Sequence, residues 1–315
     1  MDMRDTPSHL EATMVSTRAP ATPPRVPLAR AMLVAARPRQ WLKNGLVLAA
    51  PVAAGQLFDP AVLTATALAF VAFCFASSAS YLVNDVIDRD VDRAHPTKRN
   101  RPVASGSLSP RTAIAVAALL TAGSVVVAAI AGRGLVVAVG VYLALASSYS
   151  LGLKHQPVLD LGLVAGLFVV RAVAGGVAAG LPISQWFLIV SAFGSLFLVA
   201  GKRYSELVLL GEAAVSTRPS LAHYTRTYLR FVWGVAAGVT VTAYCLWAFE
   251  VGDGSASASW AAMSVAPFVI ALLRYARDID SGRAGAPEDI AFNDRVLQVL
   301  VLIWGMFFSL EAFSV

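Results

Sequence analysis

Residues 61–92 read AVLTATALAFVAFCFASSASYLVNDVIDRDVD, a run of twenty-four uncharged residues followed by a segment with four aspartates. The uncharged part has the length of a membrane-crossing helix, for which about 20 apolar residues suffice. Three positions later HPTKRNRP (95–102) places Lys98, Arg99 and Arg101 beside the acidic cluster. A long apolar stretch that delivers carboxylates and then cations to one end needs a fold able to use both.

Outward from this stretch the chain keeps the same character. It is 57% hydrophobic and 14% charged over 315 residues, more apolar than the roughly 45–50% of soluble domains. Apolar runs near 40–57, 61–83, 112–131, 135–153, 158–180, 184–201, 229–249, 257–273 and 295–314 predict an all-α, polytopic bundle of nine transmembrane helices over residues 31–315. A membrane β-barrel is excluded, because its strands would alternate over about ten residues. Residues 1–30, rich in Pro, Thr, Arg and Ala and without an apolar segment, read as a disordered cytoplasmic tail and not as a signal peptide.

Twenty-three of the 25 Lys/Arg residues fall in the N-terminal stretch and the even-numbered inter-span loops; of the other two, Arg133 lies in an odd loop and Arg171 inside span five. The positive-inside rule puts the N-terminus in the cytoplasm and the C-terminus outside. The net charge of +6 therefore belongs to the cytoplasmic loops of a protein in the cell (inner) membrane and does not point to nucleic acid. Cys74 and Cys245 lie within spans and read as buried thiols, and His9, His95, His155 and His223 are too scattered for a zinc site.

If span two continues as a helix beyond the membrane edge, Tyr81, Asn84, Asp88 and Asp92 share one face with Asp85 beside them, and Asp90 points to water. Carboxylates in one stripe repel each other unless something binds them, and an all-oxygen stripe suits Mg²⁺. The basic loop, unable to extend the helix through Pro96 and Pro102, adds cations next to the carboxylates, the combination that holds phosphorylated groups.

Other cytoplasmic edges repeat the theme. RPRQWLKN (37–44) leads into span one, span four ends in YSLGLKH (149–155), span six in GKRYSE (201–206) and span eight in Arg274-Tyr275. Together they outline a cytoplasm-facing anion pocket. Arg171, thirteen residues into span five, is expected to face the bundle interior and pair with an anionic group, since an arginine at that depth costs about 2.5–3.5 kcal/mol. Pro287, Glu288 and Asp289 read as the cap of span nine.

The motif Asn84-Asp85-x-x-Asp88-x-x-x-Asp92, the RPRQWLKN lead-in and the Tyr149…Lys154 end of span four resemble the UbiA superfamily of intramembrane prenyltransferases over about residues 35–315. Ordinary members carry a second aspartate-rich motif after span six, and the two motifs grip an isoprenyl diphosphate through Mg²⁺. This chain departs there, with basic GKRYSE in its place. Through HPTKRNRP, GLKHQ, FGSLFLVAGKRY, TYLRFVW, RYARDID and PEDIAFNDRVLQ it is similar to the actinobacterial branch that transfers phosphoribosyl groups to decaprenyl phosphate.

That resemblance implies an enzyme that uses 5-phosphoribosyl 1-diphosphate, decaprenyl phosphate and Mg²⁺ on the route to cell-wall arabinan. It implies metal ligation by Asn84 and Asp88, with Asp85, Asp88, Asp92 and Lys202 as catalytic groups. Tyr81, Lys98, Arg101, Tyr149, Lys154, Lys202, Arg203 and Arg274 would contact substrate, and Lys43 would meet the lipid phosphate. A homo-oligomer is compatible with the sequence but not specified by it, and the polyprenol length is not legible. Prenylation of an aromatic acceptor is the alternative, opposed by the single acidic motif. A transporter would place its polar groups near the midplane, and a scaffold leaves the one-sided cluster unexplained.

Overall fold

The computed structural model describes residues 27–211, 219–252, 259–284, 290 and 293–313. Among these the regular structure is all helical. Helix α1 (Leu28–Ala36) is followed by a 3₁₀ segment, Pro38–Leu48, and by α2 (Ala49–Ala53). The long α3 (Pro60–Ile87) leads to a short α4 (Arg89–Ala94). Then come α5 (Pro110–Ala131), α6 (Arg133–Leu151), α7 (Leu159–Ala178), α8 (Gln185–Leu210), α9 (Arg226–Gly252), α10 (Trp260–Asp280) and α11 (Arg295–Phe313).

The starts of several helices are written in the sequence. The Asp59 carboxylate accepts from the Ala61 and Val62 amides ahead of Pro60, which needs no amide partner. Ser109, Ser184 and Ser259 cap α5, α8 and α10 in the same way. The Asp294 carboxylate accepts from the amides of Val296 and Leu297 and caps α11. The expected cap at 287–289 lies outside the described residues.

Seven of the helices are long and apolar enough to cross a membrane, so the chain is a multi-pass membrane protein, but the expected nine are not reached among the described residues. The two that fall short do so for physical reasons. The stretch read as 40–57 is broken: Arg37 is left-handed (φ 53°), eleven residues wind as 3₁₀ helix, and only five follow as α-helix. Apolar periodicity does not reveal this tighter winding, which rises about 2.0 Å per residue against about 1.5 Å for an α-helix. The stretch read as 257–273 is the helix α10, which contains Pro267 and ends in Arg274, Arg277, Asp278 and Asp280.

Small residues let the helices approach closely. Ala69, Ala72 and Ala76 of α3, Ala128 of α5 and Ala174 of α7 are fully buried in one apolar cluster, where Phe73 and Tyr142 meet edge to face at 5.2 Å. A side chain at Gly175 would place its Cβ 1.8 Å from the Val47 carbonyl oxygen, so α7 carries the 3₁₀ segment directly on its backbone. Gly201 does the same for α8 against Ile279 of α10, where a Cβ would lie 2.4 Å from the isoleucine side chain. Leucines and valines on the outer faces, among them Leu119, Val137 and Leu302, are exposed, as a lipid-facing surface requires.

Candidate functional site

The acidic motif does not continue as one helix. α3 ends at Ile87, Asp88 is its C-cap, and α4 starts at Arg89. The ladder nevertheless persists, with the Asp88 amide on the Asn84 carbonyl (2.9 Å) and the Asp92 amide on the Asp88 carbonyl (2.8 Å). The helical winding expected of the motif therefore survives the break.

Its members divide into two groups. Asp85 and Asp92, both nearly fully buried, share one cation: Arg101 Nη1 lies 2.7 Å from Asp92 Oδ2 and 3.3 Å from Asp85 Oδ1. Arg37 donates to the same Asp85 oxygen, and its guanidinium lies over the Tyr81 ring, 4.8 Å from the centroid. Asn84 and Asp88 form the other group. Asn84 Nδ2 donates to Asp88 Oδ2 at 3.1 Å, Ser150 donates to Asn84 Oδ1 at 3.3 Å, and the Lys154 ammonium is bonded to Asp88 Oδ1.

No three histidine, cysteine or carboxylate side chains converge on a metal position among the described residues. Magnesium asks less of a protein, because one or two carboxylates suffice when substrate phosphates and water complete the shell. Asn84 and Asp88 supply adjacent oxygens, and Asp85 Oδ2 is buried with no hydrogen-bond partner. This hard-oxygen donor set fits the ion.

The remaining candidates lie around these groups. Lys98 stands half-buried on a one-turn helix, Lys98–Asn100, whose first amide bonds to His95 Nδ1 at 3.3 Å. Tyr149 is half-buried one residue before Ser150, and Lys43 half-buried one residue before the wholly buried Asn44. Lys202 is half-buried on α8. Arg203, its neighbour, is 4% exposed and faces carboxylates: its Nε lies 3.6 Å from Asp160 Oδ2 and its Nη1 3.6 Å from Glu206 Oε2. Arg274 donates to Asp294 at 2.6 Å, tying α10 to the cap of α11. That hydrogen bond, with the helix amides, holds the Asp294 carboxyl below its usual range.

Arg171 faces the bundle interior, as its depth requires, but its partners are neutral. Its guanidinium donates at 2.8 Å to Asn44 Oδ1, to the Leu167 carbonyl and to the Tyr142 hydroxyl, and stands 4.5 Å over the Tyr142 ring. Asn44 in turn donates to Ser77 at 3.2 Å. The expected anionic partner is thus replaced by dipoles and a π-face, which satisfy the donors of a buried guanidinium without a counter-charge.

Sequence reasoning missed a second buried group. Asp160, fully buried at the start of α7, accepts from the Tyr224 hydroxyl, which itself accepts from the Val158 amide at 2.6 Å. Burial, with the Asp160 contact, raises the Tyr224 hydroxyl above its usual range, so the phenol stays protonated and donates. Val158 has φ 69° and ψ −46°, and the Leu159 amide bonds back to the Pro157 carbonyl at 2.8 Å. This is a γ-turn of the strained hand, centred on a β-branched residue, at a cost of about 1–3 kcal/mol. A carboxylate two residues into an apolar run was the only signal in the sequence; nothing marked Tyr224. An apolar cavity of about 320 Å³ opens between α8, α9, α10 and α11, lined by Phe197, Leu198, Phe268, Leu272, Leu297 and Trp304 among others.

Comparison with known proteins adds relatives over nearly the whole chain. The profile of the UbiA prenyltransferase family matches residues 45–307. The decaprenyl-phosphate phosphoribosyltransferase of Corynebacterium glutamicum is 48% identical over 310 residues, 96% of this chain and 93% of that one. The Mycobacterium tuberculosis protein of the same name is 51% identical over 287 residues, 90% of this chain and 94% of that one. A UbiA homolog from Archaeoglobus fulgidus, solved with DMAPP and Mg²⁺, has a TM-score of 0.67 at 20% identity, covering 90% of this chain and 99% of that one. At that identity the structural likeness speaks for the fold alone.

Proposed function

Because the chain belongs to the UbiA prenyltransferase family, we propose that its site performs the phosphoribosyl-transfer chemistry for which its nearly half-identical relatives are named. The enzyme transfers the 5-phosphoribosyl group of 5-phosphoribosyl 1-diphosphate to decaprenyl phosphate and releases diphosphate. The observation that carries this reading is the pairing of the acidic motif with cations from three separate segments, Arg37, Arg101 and Lys154, beside which the sequence supplies a second basic edge, Lys202–Arg203 on α8. Such a site suits a donor and an acceptor that are both phosphorylated, and a diphosphate held between one acidic and one basic half.

An oxygen of the lipid phosphate attacks the anomeric carbon. The bond from that carbon to the diphosphate oxygen breaks, and its electron pair leaves with diphosphate; a single displacement inverts the carbon. The nucleophile is already largely ionised near neutral pH, with a second pKa of about 6, so no general base is needed. Asn84 and Asp88 would hold Mg²⁺, which when bound neutralises charge developing on the diphosphate.

The chain's own cations do the rest. Lys154, Lys202 and Lys98 neutralise phosphate oxygens of the donor, and Lys43 meets the lipid phosphate at the membrane edge. Asp85 and Asp92 act through Arg101 and Arg37, holding two guanidinium groups beside the Asn84–Asp88 pair. Tyr81 and Tyr149 wall the pocket for the sugar. The apolar cavity among α8–α11 takes isoprenyl units of the acceptor. We read the basic rim as the cytoplasmic face, with the N-terminus inside.

The test is mass spectrometry of the lipid product after incubating purified protein with decaprenyl phosphate, 5-phosphoribosyl 1-diphosphate and Mg²⁺. A phosphoribosylated lipid is expected. Geranyl diphosphate with 4-hydroxybenzoate is the control pair, and prenylation of the aromatic acid in place of the phosphoribosyl product would overturn the reading.

A further inference from the structure

The short segment from Lys154 to Asp160 joins the two halves of the site, and its shape is one its own sequence resists. At one end the Lys154 ammonium is bonded to Asp88. At the other, Asp160 faces Arg203, the neighbour of Lys202 on α8. Between them Val158 holds a left-handed γ-turn, at φ 69°. A β-branched residue enters that region only when its surroundings enforce it.

One side chain does so from outside the segment. The Tyr224 hydroxyl takes the Val158 amide at 2.6 Å and gives its own proton to Asp160. The tyrosine is 5% exposed and its ring stacks on Tyr228, with centroids 5.9 Å apart and 16° between the planes. A single hydroxyl thus fixes the strained turn and the carboxylate that orients Arg203. Neither Tyr224 nor Asp160 lies among the phosphate-binding cations, so their effect on substrate must pass through the groups they hold.

We propose that Tyr224 is a positioning residue for the phosphoribosyl donor: by clasping Val158 and Asp160 it sets Lys154 and the Lys202-bearing edge of α8 at the separation that the donor's diphosphate spans. The proposal rests on the phosphoribosyl-transfer reading given above. It makes the clasp specific for one substrate, because the lipid phosphate is met elsewhere, near Lys43.

The test is steady-state kinetics of the full chain in detergent, with Tyr224→Phe, which keeps the ring and removes both hydrogen bonds. The KM for 5-phosphoribosyl 1-diphosphate is expected to rise about fivefold to tenfold, the low end of what orphaning one buried group costs. The KM for decaprenyl phosphate should stay within about twofold. Val158→Gly in the Tyr224→Phe background should bring the donor KM part of the way back, because glycine needs no clasp at positive φ. A merely structural role predicts a lower melting temperature with both KM values unmoved or moved together, and either result overturns the proposal. Should Tyr224→Phe fail to fold, Asp160→Asn keeps an acceptor for the phenol but removes the charge facing Arg203; it must also raise the donor KM, and an unchanged value overturns the proposal. A wild-type protein that makes no phosphoribosylated lipid defeats the functional reading itself, whereas product formation with an unaffected donor KM in the variants defeats only the clasp.

Discussion

Replacing Arg171 with leucine separates a structural arginine from a substrate-binding one. Two of its three hydrogen bonds, those to Asn44 and Tyr142, link α7 to other elements. Interhelical hydrogen bonds in membrane proteins average about 0.6 kcal/mol and reach about 1.7, and a charged donor belongs near the upper figure. The pair is therefore worth about 3 kcal/mol. The guanidinium over the Tyr142 ring adds about 1 kcal/mol, and the leucine side chain returns about 1–2 by apolar packing. The expected loss is about 2–3 kcal/mol, which lowers the melting temperature by roughly 3–5 °C for a chain of this size. The assay is thermal unfolding in detergent alongside donor titration, with Asn44→Leu and the double variant completing a cycle. The double variant should cost less than the sum of the two single changes, by about the worth of the one bond they share. A large loss of donor affinity with unaltered melting would refute this account and place Arg171 in contact with substrate.

Asp88→Ala is expected to lower turnover at least about a hundredfold, as removal of a metal ligand or its supporting shell does, with melting near wild type; turnover close to wild type at saturating Mg²⁺ would remove Asp88 from the site. Lys202→Ala should raise the donor KM about tenfold at unchanged melting, whereas Arg203→Ala, emptying a buried position between Asp160 and Glu206, should lower the melting temperature more than Lys202→Ala does; the reverse order would show that Arg203 and not Lys202 reaches the phosphates. Replacing both with aspartate should abolish transfer at every Mg²⁺ concentration tried, and recovery at high Mg²⁺ would contradict the assignment of Lys202 to the donor's phosphates. The carboxyl of Asp294 is depressed by Arg274, so the stability it contributes is present above its unfolded pKa of about 3.9 and fades as pH falls through the lower folded value. Asp294→Asn should therefore melt below wild type at pH 7, and the gap should close as pH falls below about 4; a gap that persists there would assign the effect to packing.

What could be read from the sequence followed from local rules. Helical spacing brought Asn84 and Asp88 together, and the backbone ladder carries across the break at Asp88, but Asp92 joins Asp85 on Arg101 and not the Asn84–Asp88 pair. The basic segments were legible as a class, but not which cation meets which carboxylate. Arg101 reaches Asp85 and Asp92 across a loop, and Lys154 reaches Asp88 across 66 positions. Hydropathy registers burial and not winding, so the stretch 40–57 read as an ordinary span. The Arg171 reading went wrong in a more instructive way: insertion energetics required a partner, yet a phenol, an amide and a carbonyl accept the hydrogen bonds of this guanidinium in place of a carboxylate. Tyr224 was out of reach, being an ordinary tyrosine whose importance arises only when the fold brings it to Val158.

The acidic stripe is internally neutralised before any substrate arrives: Lys154 sits on Asp88, and Arg37 and Arg101 sit on Asp85 and Asp92. Capture of the donor is then an exchange of partners. An anion that draws Lys154 away leaves a bare carboxylate, and a divalent ion arriving at that carboxylate sets Lys154 free. On the proposed function each event lowers the cost of the other, so donor and ion are expected to raise one another's affinity by the same factor. On the proposed function, inorganic phosphate, too small to engage both halves of the site, would break these pairs without replacing them, so the ion pairs the chain makes with itself would select against it.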